Sequence, residues 1–324
     1  MKDNYLHIRK PLGIVGIGGA GSKIAIDASK SLNCECVLIS NDKHDLNGNY
    51  QSIFIDSNSW LNPSSYKIRS FAQSSTKQIK SAIDGFQTII IITNLAGRSG
   101  TAMSPVVSSI AKHTGATSLI LFAIMPFGFE KDRIFYAGVS LKRLRDIADA
   151  TIVIDNDSLL QNNPELSPHE CYGITNRAIC EVISSLSERY IHSNMNLLVA
   201  NKKETSSLES SVKDSIQMLS ENVDLNTVRK ALLYVMGGKN VPIGKLNFIV
   251  NTIQAILKEE KTPEVALTMS DSETIKIHLM AAVQDKTRFD RYDPLSEIIP
   301  KQNVLDWEEM DSSPDIEMII PNLE

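Results

Sequence analysis

Ala96-Gly97-Arg98-Ser99-Gly100-Thr101-Ala102-Met103-Ser104-Pro105-Val106-Val107 lies between a β-branched run, Thr88-Ile89-Ile90-Ile91-Ile92-Thr93, and a helix-like stretch. Small residues where a buried strand turns into a helix leave backbone N–H groups free beside the positive helix end. That is an elementary way to hold a phosphate. A second junction of this kind is Gly16-Ile17-Gly18-Gly19-Ala20-Gly21-Ser22, near the N-terminus. Two such loops on one parallel sheet imply a nucleotide held from both sides.

Working outward, short apolar segments alternate with helix-like ones from residue 12 to about 155. Strands are predicted at Leu12–Gly16, Cys36–Ser40, Ile53–Ile55, Thr88–Thr93, Ser118–Ile124 and Thr151–Ile154. Continuous β-branched runs of this length suit a sheet buried on both faces. Helices are predicted near 21–32, 66–84, 102–114 and 132–147, which gives a doubly wound α/β pattern. From Ile174 onward Ala178, Ile179, Val182, Ile183, Leu186 and Tyr190 share one helical face and predict a long helix. Residues 194–211 read as a polar loop. After them come a helix at 212–220, a strand at Ala231–Met236 ending in Gly237-Gly238, a helix at 243–258, and strands at Glu264–Thr268 and Thr274–Val283. These make a smaller second α/β region.

Charge is uneven. The chain carries −5 overall, but Asp290 to Glu324 holds ten acidic and two basic residues, so the remainder is +3. A near-neutral body with an acidic tail has no nucleic-acid footprint. The four cysteines, Cys34, Cys36, Cys171 and Cys180, lack zinc spacing and read as reduced core thiols, as expected in a cytoplasm. The longest apolar runs are strand-sized, so insertion into a membrane is not expected.

Gly16-x-Gly18-x-x-Gly21 also fits a dinucleotide fingerprint, with Asp42 where a ribose-binding acid would sit. An NAD-dependent oxidoreductase is therefore an alternative. It needs no loop after the fourth strand, and the six histidines are scattered without a proton donor at a strand end.

Four motifs follow in order: Gly18-Gly19-Ala20-Gly21-Ser22-Lys23; Ala96 to Ala102 with Pro105-Val106-Val107; Pro126-Phe127-Gly128-Phe129-Glu130 with Arg133; and Asp155-Asn156-Asp157-Ser158-Leu159-Leu160. Together they resemble the FtsZ/tubulin superfamily over residues 10–285. The resemblance implies an α/β fold with a Rossmann-like GTPase domain at 1–173, a long central helix at 174–193, a smaller second α/β domain at 194–286 and a flexible acidic tail at 287–324. It implies GTP or GDP as ligand, accompanied by Mg2+. Gly18, Gly19, Ala20, Gly21, Ser22 and Lys23 would line one side of the phosphates, and Gly97, Arg98, Ser99, Gly100 and Thr101 the other. Glu130 would contact the ribose, with Arg133, Asn156, Tyr172 and Asn176 around the nucleoside.

Departures from the family pattern bear on chemistry. Lys23 replaces an asparagine near the guanine, and Arg177 (or Asn176, if the register slips by one) stands where an aspartate reads the base. A carboxylate accepts both guanine N–H hydrogens, an amide oxygen can serve in part, and an arginine only donates. The loop expected to sense the γ-phosphate reads Asn58-Ser59-Trp60-Leu61-Asn62-Pro63, and Trp60 cannot imitate a glycine turn. In FtsZ, hydrolysis draws on an acidic loop of the neighbouring subunit after the central helix. The resemblance implies Met195-Asn196-Leu197-Leu198-Val199-Ala200-Asn201 for that loop, with Leu198 and Asn201 at the acid positions. Asn222-Val223-Asp224-Leu225-Asn226 is the competing match, and there Thr227 takes the second acid's place. Either way the acid pair is broken. The expectation is a nucleotide-binding scaffold, copolymer or regulator of the cytoskeletal or division type. A slow polymerisation-dependent GTPase is the alternative. Self or a paralogue by longitudinal contact is the expected partner. A membrane adaptor is expected at the tail peptide carrying Ile316, Met318, Ile319 and Ile320.

Overall fold

The computed structural model describes residues 5–57, 63–186, 190–200, 208–236, 242–257, 264–268, 276–283 and 286–293. In chain order the elements are β1 (Tyr5–His7), β2 (Leu12–Ile17), α1 (Gly18–Leu32), β3 (Glu35–Ser40), β4 (Gln51–Phe54), α2 (Ser65–Ser74), α3 (Thr76–Ile83), β5 (Thr88–Asn94), α4 (Arg98–Lys112), β6 (Ser118–Met125), α5 (Lys131–Ile147), β7 (Ala150–Asp155), α6 (Asn156–Asn162), α7 (Pro168–Leu186), β8 (Tyr190–His192), β9 (Asn194–Ala200), α8 (Leu208–Asn222), β10 (Val228–Met236), α9 (Ile243–Leu257), β11 (Glu264–Thr268) and β12 (Lys276–Val283). A 3-10 turn, Arg288–Tyr292, follows β12.

Ten strands form one sheet in the order β11-β10-β12-β9-β7-β6-β5-β2-β3-β4, and β1 and β8 make a separate antiparallel pair. From β9 through β7 to β4 the pairings are parallel, whereas β12 runs antiparallel to both β9 and β10. The isoleucine run of β5 shows why the parallel half is buried on both sides. Ile89 and Ile91 join the core under α2 to α5, while Ile90 and Ile92 face α1 and α7. Alternation along a strand sends neighbours to opposite faces, so a strand covered on both faces must be apolar throughout.

The predicted helix over 66–84 is two helices. Ser74, Ser75 and Thr76 turn their hydroxyls back onto the carbonyls of Ser70, Phe71 and Gln73, and this local competition ends α2 and restarts the chain as α3.

Three expectations are corrected downstream. The central helix runs from Pro168 to Leu186 rather than 174–193, and Tyr190–His192 pairs with β1 as a strand. The presumed loop over 194–211 begins with β9, inserted between β7 and β12. Met195, Leu197, Leu198, Val199 and Ala200 are all buried there. A five-residue apolar set with two neighbours to pair with is a strand, and the flanking Asn194 and Asn196 disguise it. The tail is expected from 287, but residues 286–293 are folded: Phe289 is buried, and Asp290 forms a capping box with Thr287 and an ion pair with Arg145. The remaining tail, with Ile316, Met318, Ile319 and Ile320, lies outside the described residues, as do Asn201, Gly237-Gly238 and the Asn58–Asn62 part of the γ-phosphate loop.

Candidate functional site

The site lies at the carboxyl ends of β2, β5, β6 and β7, where an open α/β sheet offers its crevice. The two glycine-rich loops are in contact. A Cβ built on Gly18, which has φ +69°, would lie 3.1 Å from the Ser99 Cβ and 3.9 Å from the Gly100 nitrogen. Neither α1 nor α4 has a side chain capping its first turn. The first-turn amides of both helices are thus left without intrahelical partners, with both positive helix ends converging on one place.

Glycine is required at particular points. A Cβ on Gly100 would lie 2.0 Å from the Asn94 carbonyl oxygen, and one on Gly21 would lie 2.4 Å from that of Ile92. Gly97 has room, with its nearest neighbour at 3.6 Å. The α4 helix starts at Arg98 rather than at 102, so Arg98, Ser99 and Gly100 form its first turn. Pro105, inside α4, has no N–H for the Thr101 carbonyl; Ser140 Oγ of α5 donates to that oxygen instead, at 3.0 Å. The second loop is thereby tied to the next helix. Lys23 and Arg98 are exposed at the rim.

The nucleoside side is formed by the loop after β6, the end of β7 and the start of α7. Glu130 accepts the Phe127 N–H at 3.1 Å and pairs with Arg133 at 2.8 Å. Phe127 stacks on Phe129 with centroids 5.1 Å apart and meets Tyr172 edge-on at 5.2 Å. The Tyr172 hydroxyl lies beside Asn94, and burial, with the Glu130 carboxylate near it, pushes that hydroxyl up from its ordinary range. Asn156 is fully buried. Its Oδ1 accepts from Thr175 at 2.6 Å, and its Nδ2 has no partner. Asn176, next to Thr175, has a buried Oδ1 that is also without a partner, whereas Arg177 is exposed. Ser22 Oγ and Thr93 Oγ1, below the two phosphate loops, are unpaired as well. Buried polar atoms without partners are uncommon, and a group of them around one crevice fits a polar ligand.

Three residues around the site were not singled out from sequence. Asn41 accepts from the Ser99 hydroxyl. Asp45 accepts from Ser40 Oγ at 2.6 Å, and its Oδ1 would be 2.5 Å from a Cβ on Gly19, so a carboxylate lies over the first loop. Asn94 Oδ1 accepts the Ala96 N–H, and its side chain lies beside the Tyr172 hydroxyl. Their shared signal is position at or just beyond the carboxyl ends of β3 and β5. Asp42, the candidate ribose acid, is exposed and caps a short 3-10 turn by accepting the His44 N–H.

The candidate hydrolytic loop is not a loop in its described part, since Met195 to Ala200 belong to β9 and Leu198 is buried in the core shared with α1 and α7. Asp224, the competing acid, lies in an exposed turn and accepts the Asn226 N–H. Among the described residues no group of three or more His, Cys, Asp or Glu could hold a metal ion, and no helix is long and apolar enough to cross a membrane.

Residues 12–164 match the family described as Tubulin/FtsZ family, GTPase domain. Cell division protein FtsZ 2 of Halobacterium salinarum is 25% identical over 221 residues, which is 63% of this chain and 56% of that protein. Cell division protein FtsZ 1 of Thermococcus kodakarensis is 32% identical over 118 residues, 36% of this chain and 31% of the relative. The matches thus span little more than half of the first of these curated relatives and about a third of the second. Among solved structures, an FtsZ dimer from M. jannaschii superimposes with a TM-score of 0.67 at 20% identity, covering 83% of this chain and 87% of that one. CetZ from Methanosaeta thermophila gives 0.67 at 15% identity, covering 89% and 90%.

Proposed function

Because the chain is a divergent member of the FtsZ/tubulin superfamily, we propose that it binds a guanine nucleotide, GTP or GDP, and hydrolyses it little or not at all. The observation that carries this reading is the pair of uncapped helix starts facing each other across Gly18 and Ser99. Their amides suit the phosphates, and Thr93 and Ser22 add hydroxyls nearby. Asn156 Nδ2 and Asn176 Oδ1, a donor and an acceptor, suit the base edge, and Tyr172 and Phe127 supply an aromatic wall. Glu130 and Arg133 meet the ribose side once their mutual pair opens. Asp45 brings negative charge to the first loop, which Mg2+ accompanying the nucleotide would offset.

Low hydrolysis follows from missing acids. Leu198 has no proton-accepting group, and only residues 187–193 connect α7 to β9. A water-orienting acid pair supplied to a neighbouring copy therefore has no place in that connection beyond Glu188. The working division is a nucleotide domain up to the start of the central helix at Pro168, that helix, and a second region at 194–286. The protein acts in the cytoplasm as a scaffold, copolymer partner or regulator, and meets itself or a paralogue end to end. Related proteins support the last point: one solved relative is an FtsZ dimer and another, CetZ2 from Haloferax volcanii, a GTPγS-bound protofilament. The tail peptide recruits a membrane adaptor, and removing residues 311–324 costs that recruitment while leaving nucleotide binding intact.

The test is direct. Purified protein carries or takes up guanine nucleotide, identified by mass spectrometry, and releases negligible phosphate from GTP across a protein-concentration series. Phosphate release rising steeply with concentration identifies a polymerisation-dependent GTPase instead, and a preparation that binds no nucleotide overturns the reading.

A further inference from the structure

The segment just after β12 is built into the nucleotide half. Phe289 is buried, and Tyr292 packs on α5 so closely that a Cβ on Gly138 would lie 2.6 Å from the Tyr292 Cβ. Arg145 of α5 pairs with Asp290 at 2.9 Å. Arg288 reaches further, to the end of β7. Its Nη2 lies 2.8 Å from Asp155 and 3.3 Å from Asp157. The Tyr292 hydroxyl lies beside the same guanidinium.

Those two carboxylates hold local structure. Asp155 caps α6 by accepting the N–H groups of Asp157 and Ser158. Asp157 accepts the Gly128 N–H at 2.8 Å and Gln161 Nε2 at 2.9 Å. Gly128 is the middle of Pro126–Glu130, and a Cβ on it would lie 3.0 Å from the Asp157 carboxylate. Burial pushes the Asp155 carboxyl up, and Arg288 opposes that push. Glu221 of α8 faces the same group and adds a third acid, and the Arg288 guanidinium, paired with Asp155 and Asp157, offsets the like charge gathered there.

We propose that Arg288 is a positioning residue: through Asp157 it fixes the Pro126–Glu130 loop, so the segment at 286–293 and the nucleoside side of the site are energetically coupled. The first half of this statement stands on the contacts alone; the coupling to ligand rests on the nucleotide-binding reading.

Hydrogen exchange on the full chain tests the first half without ligand. In Arg288→Met, which keeps the aliphatic stem beside Phe289, exchange over residues 126–131 accelerates by at least about tenfold. Arg288→Lys, which retains a cation, restores most of the protection. GTP affinity falls about tenfold in Arg288→Met and recovers in Arg288→Lys. Coupling is reciprocal, so in the wild type saturating GTP or GDP slows exchange at 286–293, and this measurement stands even if Arg288→Met does not fold. Unchanged exchange at 126–131 in a folded Arg288→Met overturns the proposal. So does accelerated exchange with unaltered affinity, or no ligand protection at 286–293 in a wild type that binds. A wild type that binds no nucleotide defeats the functional reading, while loop exchange in the variant still decides whether Arg288 holds the loop.

Discussion

At the scale of the residue, the site separates positions where geometry forbids change from positions where chemistry is open. Gly100 is of the first kind, because a methyl group would collide with the Asn94 carbonyl. Gly100→Ala displaces the first turn of α4, costs about 1–3 kcal/mol of stability and abolishes nucleotide binding. Gly97→Ala, with its nearest atom at 3.6 Å, leaves both nearly intact. Thermal melts and a fluorescent-nucleotide titration on the two variants check the contrast, and equal affinities remove the second loop from the site. Asn176 is of the second kind. Its unpaired buried Oδ1 contributes nothing to the fold visible in its contacts, so Asn176→Leu spares folding and weakens binding. Asn176→Asp offers a charged acceptor to the guanine N–H groups and strengthens binding of GTP over ATP by about tenfold, since hydrogen bonds to charged groups are the stronger ones. Competition titration reads that ratio, and an unchanged ratio places the base elsewhere. The sequence made these residues legible because small residues and amides at strand ends have few other uses. Asn41, Asp45 and Asn94 were not legible, because nothing local distinguishes them from ordinary turn polar residues until β3 and β5 are aligned side by side.

At the scale of the element, legibility followed periodicity. The strands from β2 to β7 were readable as apolar runs, apart from the polar, exposed start of β4 at Gln51 and Ser52, and α1, α4 and α5 were foreseen, with starts off by three, four and one residues. The α7–β9 region failed for two physical reasons. Helical periodicity continues past Leu186 in the sequence through Tyr190, although Tyr190–His192 is claimed by pairing with β1. The two asparagines of β9 mimic a loop, although Asn196 is 1% exposed between Ile152 and Ala282. The distinction has a mutational consequence. If 195–201 were a catalytic loop short of an acid, Leu198→Asp would restore one and raise hydrolysis. In β9, Leu198 is 2% exposed. An unpaired carboxylate there costs on the order of 4 kcal/mol, visible as a lower midpoint in urea, with no gain in phosphate release. A soluble, fully stable Leu198→Asp protein with enhanced GTPase activity would refute the strand assignment and the low-hydrolysis reading together.

At the scale of the whole molecule, a continuous ten-stranded sheet joins the nucleotide loops to β10, β11 and β12, and the segment at 286–293 crosses back from β12 onto α5 and β7. The order of elements was legible in the sequence but this return path was not, because Arg288 lies 133 residues from Asp155 and belongs to no motif. Ligand binding in such a molecule is felt as global stability. A ligand at 100 times its dissociation constant raises the unfolding free energy by about 2.7 kcal/mol, if it binds only the folded state. GTP and GDP at that saturation therefore both shift the melting midpoint upward by several degrees, whereas NAD leaves it unmoved. The decisive observation is the time course. If the acid pair is missing as proposed, the GTP-bound protein is chemically static, so its midpoint after prolonged incubation equals its midpoint at mixing, and the nucleotide recovered is still GTP. A polymerising GTPase behaves differently: its midpoint drifts toward the GDP value, faster at higher protein concentration, because each active site then needs a neighbour. Melting curves taken at intervals over a concentration series separate the two behaviours in a single preparation, and concentration-dependent drift would identify an enzyme in place of the proposed scaffold.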